Sequence, residues 1–199
     1  MTARIVLATH NPHKVEEFQA IVRATRPDLE VLGYDGPESV EDGVTFAANA
    51  LIKARAAAAH TGLPALADDS GICVDVLGGS PGVFSAYWAG HRKDAAANLE
   101  LLLDQLSDVA DPHRGAQFVS TIALVVPDGA EHVVEGVWPG RLATAAAGPG
   151  GFGYDPVFIP DDQPADAERT VGEWSAEEKN AASHRARAFV ALGPLLAAL

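Results

Sequence analysis

The apolar run Ile5-Val6-Leu7-Ala8 gives way almost at once to Asn11-Pro12, and this junction constrains the fold more than any other stretch. A short, uninterrupted apolar run suits a strand covered on both faces. Asn is a favoured N-cap and Pro a favoured first helical residue. Val15, Phe18, Ile21 and Val22 then recur at helical spacing, which predicts a helix from Pro12 to Thr25, ended by Pro27. A doubly covered strand that feeds an amphipathic helix is the opening of an α/β fold. Leu29 to Leu32 predicts a second short strand, and Thr45 caps a second, alanine-rich helix from Phe46 to His60, stopped by Gly62 and Pro64. Lys93 to Leu106 reads as helix. Phe118 to Val126 and Val133 to Leu142 read as a hairpin about the turn Pro127-Asp128-Gly129. Ser175-Ala176-Glu177-Glu178 matches a capping box. The helices it opens are expected to run to about Leu192, where Gly193-Pro194 interrupts them. The pattern predicts an α/β fold with a mixed sheet.

Composition narrows the function. A chain of 199 residues fits one domain, residues 1–199, with room for two lobes. A formal net charge of −13 argues against a general binder of nucleic acid or anionic membrane. A single cysteine, Cys73, excludes an intrachain disulfide and a cysteine-based zinc cluster, and its apolar surroundings predict a buried thiol. No apolar run reaches the ~20 residues of a membrane span, and Met1-Thr2-Ala3-Arg4-Ile5 lacks a signal peptide's apolar region. A soluble, cytoplasmic protein is expected.

Ala67-Asp68-Asp69-Ser70-Gly71 lies between the apolar lead-in Leu63-Pro64-Ala65-Leu66 and the strand-like run Ile72 to Leu77. In isolation it reads as a polar turn between strands. In an extended chain the two carboxylates point to opposite faces unless Gly71 permits a bend. Lys14, early in the first predicted helix, opposes the macrodipole, and with Thr9 and Asn11 it reads either as part of a phosphate site or as a solvated lysine. The glycines of a Walker A loop are missing. Glu41 and Asp42, with Asp68 and Asp69, could supply hard oxygens to Mg²⁺; alone they are loop carboxylates. Asn49 and Lys53 share one stripe of a helix, facing a polar cleft or solvent. Gly148 to Gly153 contains a formal G-x-G-x-x-G, but no helix can easily follow past Pro156 and Pro160, so it is no dinucleotide fingerprint. With Phe152 and Tyr154 it suits a base pocket or an ordinary loop anchored by aromatics. Lys179 with Ser183-His184-Arg185 places cations at a helix start, for an anionic or carbonyl-bearing partner or as surface charge.

These blocks together resemble the inosine-triphosphate pyrophosphatase family over nearly the whole chain. The likeness runs through Thr9-x-Asn11-x-x-Lys14, Glu41 with Thr45-Phe46, Asn49-Ala50-x-x-Lys53-Ala54, Ala67 to Gly71, Gly82-x-x-Ser85-Ala86 and Trp138-Pro139-Gly140. It continues through Gly150 to Pro156 and Glu178-Lys179-x-x-x-Ser183-His184-Arg185. His10 and His13 stand where many members carry a small residue. The resemblance implies an α/β fold with a long central mixed sheet flanked by helices, two lobes with the active-site cleft between them, and a homodimer. It implies Mg²⁺-dependent cleavage of ITP, dITP and XTP into monophosphate and pyrophosphate. By family role, Thr9, His10, Asn11, Pro12, His13, Lys14 and Lys53 hold the triphosphate. Glu41 and Asp69 bind the metal, and Asp69 is also the catalytic proton acceptor, with Asp68 or a metal-bound hydroxide as alternatives. Ser70, Phe152, Gly153, Tyr154, Asp155, Lys179, His184 and Arg185 contact the nucleotide. Two other readings are a non-catalytic purine-nucleotide binder and a pyrophosphatase for modified pyrimidine nucleotides.

Overall fold

Side-chain alternation along three strands organises the sheet. The computed structural model describes residues 3–164 and 167–199. Among these, β1 (Ala3–Leu7), β2 (Leu29–Gly33), β3 (Ala65–Val74), β4 (Gly115–Val125), β5 (Glu131–Leu142) and β6 (Phe158–Pro160) form one six-stranded sheet in the order β2-β1-β3-β4-β5-β6. β1 runs parallel to β2 and to β3, and β5 runs antiparallel to β6, so the sheet is mixed, as expected. The helices are α1 (Pro12–Thr25), α2 (Phe46–Thr61), α3 (Ala95–Gln105), α4 (Ala176–Ala182) and α5 (His184–Ala197).

The chain divides into two compact units, and the divisions fall inside β3, β4, β5 and α5. The first holds residues up to Asp69, Ser120–Gly136 and Ala188–Leu199. In it, Ile5, Leu7, Leu66, Ile122 and Leu124 pack with Phe18 and Val22 of α1 and Phe189, Leu192 and Leu196 of α5. The intervening residues Val6, Ala65, Ala67, Ala123 and Val125 pack with Ala50, Ala54, Ala57 and Ala58 of α2. Odd and even positions therefore serve different helices, the pattern of a strand covered on both faces. The second unit holds Ser70–Val119 and Val137–Arg187. Its core gathers Ile72, Val74, Leu102, Leu106, Phe118, Trp138 and Phe158.

Local signals account for most element ends. Asn11 accepts from the His13 amide at 3.0 Å with Pro12 at the first helical position. Thr45 caps α2 through the Ala48 amide at 3.1 Å, and Gly62 ends it in the left-handed region at φ 67°. Ser175 and Glu178 form the expected capping box, and Ser183 caps α5 through the Ala186 amide at 3.3 Å. The hairpin closes through Val126 and Ala130.

Four readings change. Asp68-Asp69-Ser70-Gly71 is not a turn but the middle of the continuous strand β3. Past Val74 the expected strand becomes a single 3-10 turn, Asp75–Leu77. Cys73 is half-buried near the end of β3. Pro194 does not stop α5, which continues to Ala197. The carbonyl that loses its donor belongs to Val190, a solvent-facing residue, while Leu192 and Leu196 keep the helix in the core.

Arg114 is the least expected core residue, at 2 % exposure. Its guanidinium donates to the carbonyls of Leu106 and Val109, beyond the end of α3, and to those of Leu142 and Ala143, at the end of β5. Arg114→Met should strand these acceptors and lower stability by about 2–4 kcal/mol. Urea unfolding checks this, and a loss below about 0.5 kcal/mol would mean that water replaces the guanidinium.

Candidate active site

The polar residues of the first unit are placed by the same alternation. Asp68 shares its face of β3 with Leu66, the α1 side, and Asp69 shares its face with Ala65 and Ala67, the α2 side. No bend at Gly71 is needed to give each carboxylate a partner. Lys14, in the first turn of α1, donates to both oxygens of Asp68 at 3.0 Å. Lys53, on α2, sits 3.0 Å from Glu41 Oε2 and 3.7 Å from Asp69 Oδ1. One ammonium thus lies between a loop carboxylate and a strand carboxylate. Asn49, one helical turn before Lys53, accepts the Gly43 amide at 2.8 Å.

The charge balance at Asp69 is uneven. Burial pushes its carboxyl above the usual carboxylate range, Lys53 pulls it down, Glu41 pushes it up, the Asn49 hydrogen bond pulls it down, and Asp68 pushes it up. A carboxylate held this way attracts either a proton or a further cation.

The phosphate-loop candidates precede and open α1. Thr9 Oγ1 accepts the Asn11 amide at 3.2 Å. Asn11, Pro12 and His13 are exposed at the helix start. His10 donates from Nε2 to the Gly36 carbonyl at 2.9 Å and lies tilted against Tyr34. Its bond ties this segment to the loop that later bears Glu41. Asp42 is exposed in that loop.

The second unit holds the other candidates. Ser70 is half-buried in β3. Asp155, 2 % exposed, accepts the Phe152 amide at 2.6 Å and the Lys179 ammonium on the same oxygen. Gly151 has φ 86°, and a Cβ there would lie 2.5 Å from Asp155 Cβ, so the chain needs glycine at this bend. Gly153 is also left-handed, at φ 63°. The loop is followed by a 3-10 turn, Asp155–Val157, not by a helix, consistent with rejecting a dinucleotide fingerprint. Phe152 is 81 % exposed, whereas Tyr154 is buried and donates its hydroxyl to the Ser85 carbonyl at 2.9 Å. Burial pushes the Tyr154 phenol up, so it stays a donor. His184 is buried and stacked on Phe118 at 4.9 Å, and Arg185 is half-buried in the first turn of α5. Sequence reasoning gave no role to Ser85 as the acceptor for Tyr154, or to Gly43 as the partner of Asn49. The pairing of Gly43 with Asn49 across the Thr45 cap was the only local hint.

Hard oxygens and ammonium groups gathered in this way suit the polyanion chemistry of a phosphoanhydride hydrolase. The Ham1 family model matches residues 5–195, and the chain belongs to that family. It is 61 % identical over 196 residues to the dITP/XTP pyrophosphatase of Leifsonia xyli subsp. xyli, covering 98 % of this chain and 96 % of that one. It is 54 % identical over 197 residues to the dITP/XTP pyrophosphatase of Streptomyces coelicolor, covering 97 % and 96 %. Its fold matches a HAM1 protein from Coxiella burnetii with a TM-score of 0.89 at 39 % identity, covering 99 % of this chain and 100 % of that one. It matches a nucleoside-triphosphatase/dITP/XTP pyrophosphatase from Mycobacterium abscessus with a TM-score of 0.81 at 48 % identity, covering 95 % and 98 %.

Asp69→Asn should stabilise the protein when neither nucleotide nor metal is present. A carboxyl raised in the folded state ionises first in the unfolded chain, so stability falls as pH rises from the ordinary Asp range through the raised native value. The variant escapes that loss. Its melting midpoint should exceed the wild type's at pH 7, and the difference should close in acid, where both states are protonated. A lower midpoint at pH 7 would show that Lys53 and Asn49 outweigh burial.

Proposed function

We propose that this chain hydrolyses non-standard purine nucleoside triphosphates, ITP, dITP and XTP, to the monophosphate and pyrophosphate. The observation that carries the reading is the convergence of Glu41 and Asp69 on one cation, the Lys53 ammonium, in a chain with the Ham1 pattern along its length. The names of its relatives favour the same substrates. Those names weigh against the modified-pyrimidine reading, and the presence of both carboxylates weighs against a non-catalytic binder. Mg²⁺ and the homodimer implied by the resemblance, and the cytoplasmic location expected from the sequence, belong to this reading. Among the described residues, no helix is long and apolar enough to cross a membrane.

The residues fit a hard divalent cation. Glu41 and Asp69 offer carboxylate oxygens to one positive centre, and Asp69, raised by burial, gains most from a further cation. These two residues would hold Mg²⁺, which when bound neutralises charge building on the leaving pyrophosphate. Lys14 and Lys53 bring ammonium groups to the same polyanion. Water attacks the α-phosphorus; the new P–O bond forms as the bridging bond to the β-phosphate breaks. By the role the resemblance implies, Asp69 takes the proton, while both Asp68 oxygens are occupied by Lys14. Phe152 offers an exposed ring to the base, and Arg185, which can only donate, suits the C6 carbonyl of hypoxanthine or xanthine better than the C6 amine of adenine.

Pyrophosphate release from ITP, dITP, XTP, GTP, ATP and a 5-modified pyrimidine triphosphate tests the reading. The first three should turn over fastest. Orthophosphate as the product, or binding without turnover, would refute it. Asp69→Asn should lower kcat by about 10²–10⁴ with the fold intact by circular dichroism. Near-normal kcat at saturating Mg²⁺ would transfer the proton-acceptor role to Asp68. Phe152→Ala should raise KM for ITP roughly 5- to 100-fold, the range of one base–aromatic stack, without changing the melting midpoint. An unchanged KM would remove the ring from the base site.

A further inference from the structure

An open sheet has two edges, and those of this sheet are protected differently. β6, at one edge, is three residues long and finishes at Pro160, which has no N–H to offer a further strand. β2, at the other edge, runs for five residues, Leu29-Glu30-Val31-Leu32-Gly33, without proline. Successive residues of a strand turn their N–H and C=O groups to opposite sides. On the β1 side, the Tyr34 amide just past β2 donates to the Thr9 carbonyl at 3.4 Å. By alternation, the backbone groups of Leu29 and Val31 point outward at the edge. Gln19 of α1 meets them there. Its Nε2 donates to the Leu29 carbonyl at 3.1 Å, and its Oε1 accepts the Val31 amide at 2.8 Å. One side-chain amide thus makes the two bonds that a neighbouring strand would otherwise make.

We infer that Gln19 is a strand-edge guard, which closes the outer edge of β2 against pairing with the same edge of a second copy of this chain. A second copy fits because a two-fold axis sets two identical edges antiparallel, with the donors of each opposite the acceptors of the other. An edge of this length without proline is a template for such pairing unless something covers it. There is space for a partner to enter: a groove of about 290 Å³ lies beside the edge, lined by Val15, Glu16, Gln19, Ala20, Arg23 and Val31. A role limited to fastening α1 to β2 would affect stability and leave the mass in solution unchanged.

Sedimentation equilibrium of the full chain over a concentration series separates these roles. Gln19→Ala removes both bonds while placing the strongest helix former in α1. It should approach about twice the wild-type mass as concentration rises, with its far-ultraviolet circular dichroism unchanged. Gln19→Glu loses the donor to Leu29 but sets a charge on the edge that a pairing strand would have to bury, so it should keep the wild-type mass. Amide hydrogen exchange locates the effect: in dilute Gln19→Ala the Val31 amide should exchange about 5- to 30-fold faster than in the wild type, and its protection should return as the variant associates. Gln19→Ser, too short to reach the strand, serves in place of Gln19→Ala if that variant fails to fold. A folded variant that keeps the wild-type mass at every concentration overturns the inference. Equal association of Gln19→Ala and Gln19→Glu also overturns it, because lost stability and not an opened edge would then drive the assembly.

Discussion

Strand alternation separates Asp68 from Asp69, and the polar chemistry of the first unit follows from that separation. Adjacent residues of β3 face opposite sides of the sheet, so one carboxylate meets α1 and the other meets α2. Each helix supplies one lysine to the carboxylate on its own side. The Lys14–Asp68 pair explains a lysine at an unfavourable helix end. A cation in the first turn costs a few tenths of a kcal/mol against the macrodipole, whereas a two-oxygen, charge-assisted contact with a buried carboxylate is considerably stronger. The Asp69 side is less complete. Lys53 is shared with Glu41 and sits farther from Asp69, which leaves that carboxyl raised by burial.

The composition of α2 serves the same end. Ala50, Ala54, Ala57 and Ala58 are buried and small, so the helix lies close on the sheet. Asn49 and Lys53, four apart, interrupt that alanine surface on a single stripe. On a helix padded by leucines the short Asn49 amide would stand back from β3. The alanines that weaken the amphipathic signal of α2 are therefore what bring its polar stripe up to the sheet, with the Lys53 ammonium 3.7 Å from Asp69.

The elements governed by local periodicity and capping were legible in the sequence. β1 with α1, α2, the hairpin of β4 and β5, and the caps at Asn11, Thr45, Ser175 and Ser183 all have signals within a few residues. Asp68 to Gly71 reads as a turn locally, because its polar residues are rare inside strands. What makes it strand is the pairing of β3 in the sheet and the cations waiting on each face, none of which is near in sequence. Pro194 reads as a stop, yet Leu192 and Leu196 hold the last turn of α5 in the core. Arg114 gave no signal at all, since the carbonyls it serves are assembled from the chain just after α3 and from the end of β5. The candidate site was legible as a set of blocks only through the family resemblance; single residues such as Lys14 and Glu41 read equally well as surface charge.

The glycine-rich loop shows how the second unit can present an aromatic ring without relying on packing of the ring itself. Phe152 is largely in solvent, so its position depends on its backbone. That backbone is held by Asp155, which is buried and therefore needs a compensating charge, supplied by Lys179 from α4. The next residue back, Tyr154, is pinned by its hydroxyl to Ser85, whose own hydroxyl accepts the Ile72 amide of β3. The left-handed glycines at 151 and 153 let the chain turn tightly between these fixed points. An exposed ring on a tethered loop loses little freedom when a flat ligand stacks on it, so its contact area is converted into affinity instead of being spent on ordering the loop. By the same logic, Asp155 and Lys179 shape the loop: their charges are committed to each other, and the group the loop leaves exposed is the ring of Phe152, which under the proposed function would meet the base.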